Sequence, residues 1–270
     1  MEKGGIFLKK LRGIVAITVL AMVFVGCSNG QATKEETNNS GEKKEILISA
    51  AASLKESMDE IKKVYEEKNN VILTFNFGAS GSLQKQIEEG APVDIFMSAG
   101  EKQFKALEDK DIIESESKKD IVENELVLIV NNEYKDKIKE FDDLDNLDGH
   151  IALGEIGSVP VGQYAEEALN YYNKWSSIEN KIVFAKDVKQ VVSYVESGEA
   201  VCGIVYKSDS VHIKNSVVTT TFDTSSHKKI IYPGGLIKAS KVKDEAKKFL
   251  EFLDTSESKE ILEKYGFKVN

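Results

Sequence analysis

The sequence has few of the side chains that catalytic and metal sites most often use. Its 270 residues include only two cysteines and three histidines. The histidines, His150, His212 and His227, stand in polar segments without the spacing of metal ligands or an obvious cysteine partner. We therefore expect them at the surface, and the sequence argues against a metal centre and against a Cys-His nucleophile.

Motifs for nucleotide binding and nucleophilic catalysis are also missing. Residues 154–162 match neither the Walker A pattern nor G-x-G-x-x-G. Residues 78–82 approach the G-x-S-x-G nucleophile elbow, but Ser82 stands where the second glycine is required. We therefore expect no enzyme activity. A hydrolase with Ser53 or Ser80 as its nucleophile is the alternative, and it would need a histidine within hydrogen-bond reach.

The amino-terminal segment has the organisation of an export signal. Basic residues within positions 3–12 precede an apolar stretch at 13–25, which is too short to span a bilayer comfortably. The stretch ends in Phe-Val-Gly-Cys, which resembles the lipobox of bacterial lipoproteins. This resemblance implies removal of residues 1–26 and a lipid on Cys27 that anchors the protein at the extracytoplasmic face of the cell membrane. An ordinary secretory signal and a short anchor helix are the alternatives.

The segment that follows is predicted to be a flexible tether. Residues 27–44 are rich in Asn, Glu, Lys, Gly and Thr, and one alanine supplies the apolar content after Cys27. Such a segment cannot bury enough surface to offset the entropy lost on ordering. If Cys27 carries lipid, Cys202 has no cysteine to pair with. We therefore predict that Cys202 is a small buried apolar residue.

The charge of the chain limits its partners. Removal of residues 1–26 takes away four basic residues and one acidic residue, so the formal net charge falls from −9 to −12. An exported protein of this charge repels nucleic acid and anionic lipid headgroups, and we expect no nucleic-acid partner. Any anion that it binds has to be held by local dipoles. The remaining 244 residues suffice for one large domain or two lobes.

Short apolar runs alternate with segments of helical periodicity, which is typical of parallel βα units. We predict strands at residues 45–50, 71–77, 94–97, 125–130, 151–153, 181–184, 203–206, 217–222 and 229–232. We predict helices that begin near residues 53, 82, 160 and 188, followed by two more within residues 242–265. Ser53 and Glu56 match a capping box at the start of the first helix.

At four places a predicted strand stops at a small or hydroxylic residue and a helical pattern begins at once. These junctions are residues 51–54, 78–81, 159–162 and 186–188. Each helix start has backbone N–H groups without an internal partner and a partial positive charge, so each is a potential anion site. Several such starts at one cleft would bind a dehydrated oxyanion without Lys or Arg.

The order of the junctions predicts two lobes. Two junctions lie before residue 90 and two lie after residue 150, with the apolar residues 126–130 between them. This arrangement indicates two α/β lobes with the ligand cleft between them. We assign residues 45–124 and 226–270 to the first lobe and residues 125–225 to the second.

Several motifs occur in a fixed order along the chain. They are residues 50–54 (Ala-Ala-Ala-Ser-Leu), 77–83 (Phe-Gly-Ala-Ser-Gly-Ser-Leu), 90–99 (Gly-Ala-Pro-Val-Asp-Ile-Phe-Met-Ser-Ala), 159–162 (Val-Pro-Val-Gly), 187–188 (Asp-Val), 203–206 (Gly-Ile-Val-Tyr), 226–229 (Ser-His-Lys-Lys) and 263–267 (Glu-Lys-Tyr-Gly-Phe). In this order the chain resembles the periplasmic molybdate-binding proteins of ABC importers over essentially its whole mature length. The resemblance implies a type II periplasmic-binding-protein-like α/β fold that closes on molybdate or tungstate. It also implies a monomer without a cofactor that delivers its ligand to an ABC permease.

Carried over by position, the ligand-holding residues of that family fall on Ser53, Ser80, Val161, Val188 and Tyr206. The resemblance implies hydroxyl donors from the two serines and the tyrosine, and backbone N–H donors from the serines and valines. Molybdenum would then be bound only as its oxyanion, without side-chain ligands to the metal. Relatives often have alanine at the position of Val161, a swap that matters only if the larger side chain enters the cleft.

Simpler interpretations stay open for the same residues. Ser53 and Ser80 would also serve as helix caps, and Tyr206 as a core residue. A site made only of donors selects against a protonated phosphate, unless Asp187 accepts its proton; we expect Asp187 instead to cap its own helix. A binder of another tetrahedral oxyanion such as sulfate and a structural surface protein are further alternatives.

Overall fold

A computed structural model of the chain describes residues 43–269. The predicted signal segment, Cys27 and most of the predicted tether lie outside these residues. The strands are β1 Lys44–Ala51, β2 Val71–Gly78, β3 Ile95–Met97, β4 Lys119–Asn124, β5 Leu126–Asn131, β6 Ile151–Gly154, β7 Ile182–Ala185, β8 Cys202–Tyr206, β9 Ser216–Thr221 and β10 Ile230–Leu236. The helices are α1 Lys55–Lys68, α2 Ser80–Glu88, α3 Glu101–Asp109, α4 Pro160–Tyr171, α5 Trp175–Ile178, α6 Val188–Ser197, α7 Lys243–Phe252 and α8 Ser256–Lys264. None of these helices combines the length and apolar character needed to cross a membrane.

The strands form two five-stranded sheets. The order is β2-β1-β3-β10-β4 in the first sheet and β7-β6-β8-β5-β9 in the second. In the first sheet, β1 is parallel to β2 and β3, and β10 is antiparallel to β3 and β4. In the second sheet, β6 is parallel to β7 and β8, and β5 is antiparallel to β8 and β9. The predicted α/β fold with two lobes is confirmed.

The chain passes from one sheet to the other twice. It leaves the first sheet at Asn124 and enters the second at Leu126, and it returns between Thr221 and Ile230. Short connections of this kind leave few backbone positions at which two lobes could turn relative to each other. We propose that the lobes divide the chain at these crossings, near residues 124 and 226.

The central strands of the second sheet are buried along their whole length. Every residue of β5 and β8 is buried, and the helices α4 and α6 pack against both strands. Cys202 in β8 is completely buried, as predicted. In the first lobe, the predicted stripe of Leu54, Met58, Ile61 and Tyr65 is also buried.

Two predicted helix starts are wrong. The first helix begins at Lys55 after a 3₁₀ turn at Ala52–Leu54, and its N-cap residue Leu54 makes no side-chain cap. The predicted capping box therefore does not form. The 3₁₀ turn places Ser53 before the first residue of α1, and the hydroxyl of Ser53 bonds to Tyr232 instead of capping the helix. The second helix begins at Ser80, two residues earlier than predicted.

Two elements of the first lobe were not predicted. The strand β4 is an edge strand with charged residues at several positions, and its Val122 and Asn124 are buried. An edge strand needs only one buried face, so its sequence lacks a long apolar run. The helix α3 buries Phe104 and Leu107, which is too small an apolar stripe to stand out by periodicity.

Candidate functional site

The four predicted junctions converge on one cavity that has residues of both lobes in its wall. The space that atoms do not fill, counted together with the open solvent at the mouth of the cavity, is about 210 Å³. Its lining residues are Ala51, Ala52, Ser53, Gly78, Ala79, Ser80, Ala99, Val159, Pro160, Val161, Asp187, Val188 and Tyr206. All five residues singled out from the sequence are among them.

The cavity wall is apolar apart from a few hydrogen-bonding groups. None of its thirteen residues is Lys or Arg, and most are Ala, Val, Gly or Pro. Ser80 and Val188 are the first residues of α2 and α6, and Val161 is the second residue of α4. Backbone N–H groups at these positions have no carbonyl one turn earlier to bind. The wall therefore offers neutral donors at the positive ends of three helix dipoles.

Ser53 lies buried between the cavity and Tyr232 of β10. The residue is 3% exposed, and its Oγ lies 2.9 Å from the hydroxyl oxygen of Tyr232. Tyr232 is fully buried, and burial raises the pKa of its hydroxyl well above the usual value. Both groups therefore keep their protons at neutral pH.

Ser80 receives a hydrogen bond from the protein. The backbone N–H of Ala99 donates to Ser80 Oγ over 3.0 Å. Since an N–H group can only donate, this bond uses a lone pair of the serine and leaves its own proton for another acceptor. The cavity that Ser80 lines is where such an acceptor would be bound.

Tyr206 makes a contact between the lobes. Its hydroxyl, at the end of β8, donates to the carbonyl oxygen of Ala99 in the first lobe over 3.2 Å. Burial raises the pKa of Tyr206 well above the usual value, and the neighbouring Tyr232 adds to this. Its single proton is therefore used within the protein, and Tyr206 would have to release Ala99 before donating to a ligand.

The two valines have their side chains in the core. Val161 is completely buried and Val188 is 3% exposed. Asp187, which precedes Val188, accepts from the backbone N–H of Gln190 over 2.9 Å. The prediction that Asp187 caps its own helix is confirmed.

Around the cavity the lobes touch at backbone level. The N–H of Gly81 donates to the carbonyl oxygen of Ser158 over 2.9 Å. A Cβ atom on Gly81 would lie 2.6 Å from that oxygen, closer than real Cβ atoms approach. Nearby, Gln103 donates to Gln163 over 3.3 Å. Gly81 therefore allows the close approach of the lobes.

An ion group beside the cavity was not predicted. Lys189 of α6 lies 2.6 Å from a carboxylate oxygen of Glu56 in the first lobe and 2.8 Å from one of Asp209 in the second. Burial lowers the pKa of Lys189, but the two carboxylates outweigh this and hold the pKa above its usual value. The only sequence signal for this group is that Lys189 directly follows the junction residue Val188.

The histidines differ from one another in their surroundings. His150 and His212 are exposed, as predicted. The prediction is wrong for His227, which is half-buried: its ring packs edge-on against Tyr164, with 6.0 Å between the ring centres. Across residues 43–269, no group of three or more His, Cys, Asp or Glu side chains is arranged to hold a metal ion.

Comparison with known protein families gives a match over most of the chain. The sequence profile described as "Bacterial extracellular solute-binding protein" matches residues 46–268. This range contains the cavity, all its lining residues and both sheets apart from the first two residues of β1.

Individual relatives extend this similarity. The chain is 39% identical to YvgL of Bacillus subtilis, whose name describes an ABC transporter substrate-binding lipoprotein, over 94% of this chain and 96% of YvgL. It is 36% identical to the molybdate-binding protein ModA of Haemophilus influenzae, over 82% of this chain and 89% of ModA. Among solved structures, a Clostridium difficile substrate-binding domain assigned to a molybdenum ABC transporter is 47% identical, with a TM-score of 0.66 and coverage of 84% of this chain and 99% of that chain.

Proposed function

The chain belongs to the bacterial extracellular solute-binding protein family, and from this premise we propose that it captures molybdate outside the cytoplasm and delivers it to the permease of an ABC importer. Similarity to ModA of Haemophilus influenzae and to the Clostridium difficile domain supports molybdate as the ligand. The name of YvgL supports a lipoprotein, and we infer that lipid on Cys27 anchors the chain to the membrane.

The observation that carries the proposal is a cavity with several neutral donors and no cationic side chain in its wall. A tetrahedral dianion offers only acceptors, and each charge-assisted hydrogen bond to it contributes about 1.5–3 kcal/mol. Ser53 and Ser80 would donate through their hydroxyls and backbone N–H groups, and Val161 and Val188 through their N–H groups. Tyr206 would join them if its hydroxyl turns from Ala99 to the ligand.

The same cavity would discriminate among anions. Tungstate has the charge and shape of molybdate, so we expect both to bind. A protonated phosphate needs an acceptor for its proton, and we expect the cavity to disfavour it because Asp187, the carboxylate in the wall, is held at the start of α6 through its Oδ1. Sulfate is also an acceptor-only dianion but is smaller, so size has to exclude it. Of these ligands, molybdate has the support of the named relatives.

Capture would proceed by closure of the two lobes. The anion would bridge helix starts from both lobes, and contacts such as Gly81 with Ser158 would form as the lobes meet. Closure would present one recognisable surface to the permease. We propose that the protein acts as a monomer and catalyses no reaction. The partners of the serines support the absence of catalysis, because Ser53 meets Tyr232 and Ser80 meets the N–H of Ala99, rather than a histidine.

Isothermal titration of the mature chain with molybdate, tungstate, sulfate and phosphate tests the proposal. We expect saturable heat with molybdate and tungstate, and competition between them for one site per chain. Saturation by sulfate with indifference to molybdate would instead support a sulfate binder. No heat with any tetrahedral oxyanion would contradict the proposed function.

A further inference from the structure

The direction of the hydrogen bonds behind Ser53 follows from the side chain of Asn124, the last residue of β4. The backbone N–H of Glu125 lies 2.9 Å from Asn124 Oδ1, and that of Ser208 lies 3.5 Å from the same atom. Both groups are donors only, so the oxygen of the amide has to face them. Asn124 Nδ2 therefore faces the other way, 3.2 Å from the Tyr232 hydroxyl and 2.9 Å from Ser208 Oγ.

This orientation decides which way the next bond runs. An amide Nδ2 is a donor only, so the Tyr232 oxygen accepts from Asn124. The single proton of Tyr232 then has Ser53 Oγ, 2.9 Å away, as its acceptor. The oxygen of Tyr206, whose own proton goes to the carbonyl oxygen of Ala99, is the competing acceptor, but Ser53 Oγ is the hydroxyl that meets Tyr232 with hydrogen-bond geometry. Ser53 therefore accepts from Tyr232, and its own proton is left for the cavity.

We propose that Asn124 and Tyr232 are positioning residues that fix the Ser53 hydroxyl as a donor toward the bound oxyanion. This proposal rests on the proposed function. We call the series from Asn124 through Tyr232 to Ser53 the hydroxyl relay. Its three members are at most 7% exposed, so water does not compete for their bonds, and the low local dielectric strengthens each bond.

The hydroxyl relay gives a reason for ligand choice beyond the number of donors. A serine hydroxyl normally accepts or donates according to its partner, so an unrestrained Ser53 would also accommodate a protonated anion. With one of its two lone pairs engaged by Tyr232, Ser53 presents its proton to the cavity and favours an anion that is fully deprotonated. Asn124 also lies where the chain crosses to the second sheet, and its Nδ2 bonds Ser208 beyond β8. The relay is therefore tied to both lobes.

Two substitutions separate the relay from a general packing role. Asn124→Asp keeps the shape but replaces the donor with an acceptor, so Tyr232 would donate to residue 124 and the Ser53 proton would be drawn toward Tyr232. Tyr232→Phe only removes the bond. We expect Asn124→Asp to weaken molybdate binding about tenfold to a hundredfold and Tyr232→Phe less, about threefold to tenfold.

The decisive measurement is a double-mutant cycle by isothermal titration with molybdate. In a Ser53→Ala background, Tyr232→Phe should lower molybdate affinity by less than about a further twofold. In the same background, Asn124→Asp should lower the affinity only by the amount that its added charge causes. In a Ser80→Ala background, Tyr232→Phe and Asn124→Asp should each lower molybdate affinity as much as they do in the wild type. Asn131→Asp is the matched control, because Asn131 is equally buried at the far end of β5 and should leave affinity within about twofold.

The outcomes separate the two proposals. If the wild-type chain binds no oxyanion, the proposed function fails and the relay falls with it. If the wild type binds molybdate but both substitutions act equally with and without Ser53, the relay alone is overturned. Thermal unfolding of each ligand-free variant identifies any that fails to fold, and Tyr232→Phe then carries the test if Asn124→Asp does not fold.

Discussion

The two walls of the cavity offer hydrogen-bond donors in different ways. The first-lobe wall has Ser53 and Ser80, whose hydroxyl oxygens already bond to Tyr232 and to the N–H of Ala99. The second-lobe wall has Val161 and Val188, whose side chains are in the core and whose N–H groups lie in the first turns of α4 and α6. The serines therefore depend on side-chain hydroxyls as well as on backbone N–H groups, whereas the valines depend only on the path of the backbone; Tyr206 adds one hydroxyl to the second-lobe wall.

This difference determines which substitutions on each wall preserve its hydrogen-bond donors. A hydroxyl is lost with any change of side chain except to threonine, whereas a backbone N–H is lost only with proline. At the two valines the second wall therefore tolerates any side chain that fits the core. We expect substitutions to distinguish the walls in the following order of effect.

The largest effect should come from keeping the walls apart. In Gly81→Ala the new Cβ would lie 2.6 Å from the carbonyl oxygen of Ser158, so the lobes could not approach as they do here. If the closed state falls to about 1% of the population, apparent molybdate affinity falls about a hundredfold. Isothermal titration measures this loss. Gly157→Ala is the control, since its Cβ would meet nothing within 4 Å; equal binding by both variants would contradict the assignment.

The next effect should come from a first-wall hydroxyl. Ser80→Ala removes one charge-assisted hydrogen bond and should weaken molybdate binding about tenfold to a hundredfold. Val161→Ala removes only buried methyl groups and should change affinity less than about threefold, although it should lower the stability of the fold by about 1–2 kcal/mol. Paired titration and thermal unfolding of the two variants measure both quantities. If Val161→Ala lowered molybdate affinity more than Ser80→Ala, the proposed difference between the two walls would be wrong.

The two walls also differ in how much of them could be predicted from the sequence. All four junctions were predicted because a strand that ends at a small residue before a helical pattern is a local signal. The five cavity residues came from the resemblance, and the structure brings them to one cavity. The valines in particular have no side-chain chemistry that could have identified them.

The partners of these residues could not be predicted because they are distant in sequence. Ser53 meets Tyr232 across 179 positions, and Asn124 meets Tyr232 across 108. The capping-box prediction failed for the same reason: a local rule paired Ser53 with Glu56, but tertiary contacts pair Ser53 with Tyr232 and Glu56 with Lys189. The edge strand β4, which ends at Asn124, was missed because half of its surface faces water.

A smaller effect should come from removing one N–H of the second wall. Val188→Pro deletes a donor at the first position of α6, where proline fits the helix. Asp187 before it is extended, with φ −159° and ψ 170°, which a following proline accepts. We expect affinity to fall about tenfold with α6 intact. Val188→Ala keeps the N–H and should bind within about twofold of the wild type; equal losses in both variants would assign the effect to packing.

The smallest effect should come from alkaline pH, which acts on the tyrosine hydroxyls and not on the backbone donors. Backbone N–H groups do not titrate, whereas the relay to Ser53 needs the proton of Tyr232. Burial raises the pKa of Tyr206 and that of Tyr232 well above the usual value, so both hydroxyls stay protonated beyond the pH at which an exposed tyrosine ionises. Molybdate affinity should therefore change less than about twofold between about pH 7 and pH 9.5 in titrations at constant ionic strength. A decline with a midpoint below about 10 in the wild type, and its absence in Tyr232→Phe, would mean that Tyr232 ionises like an exposed tyrosine and that its proton is not held as the relay requires.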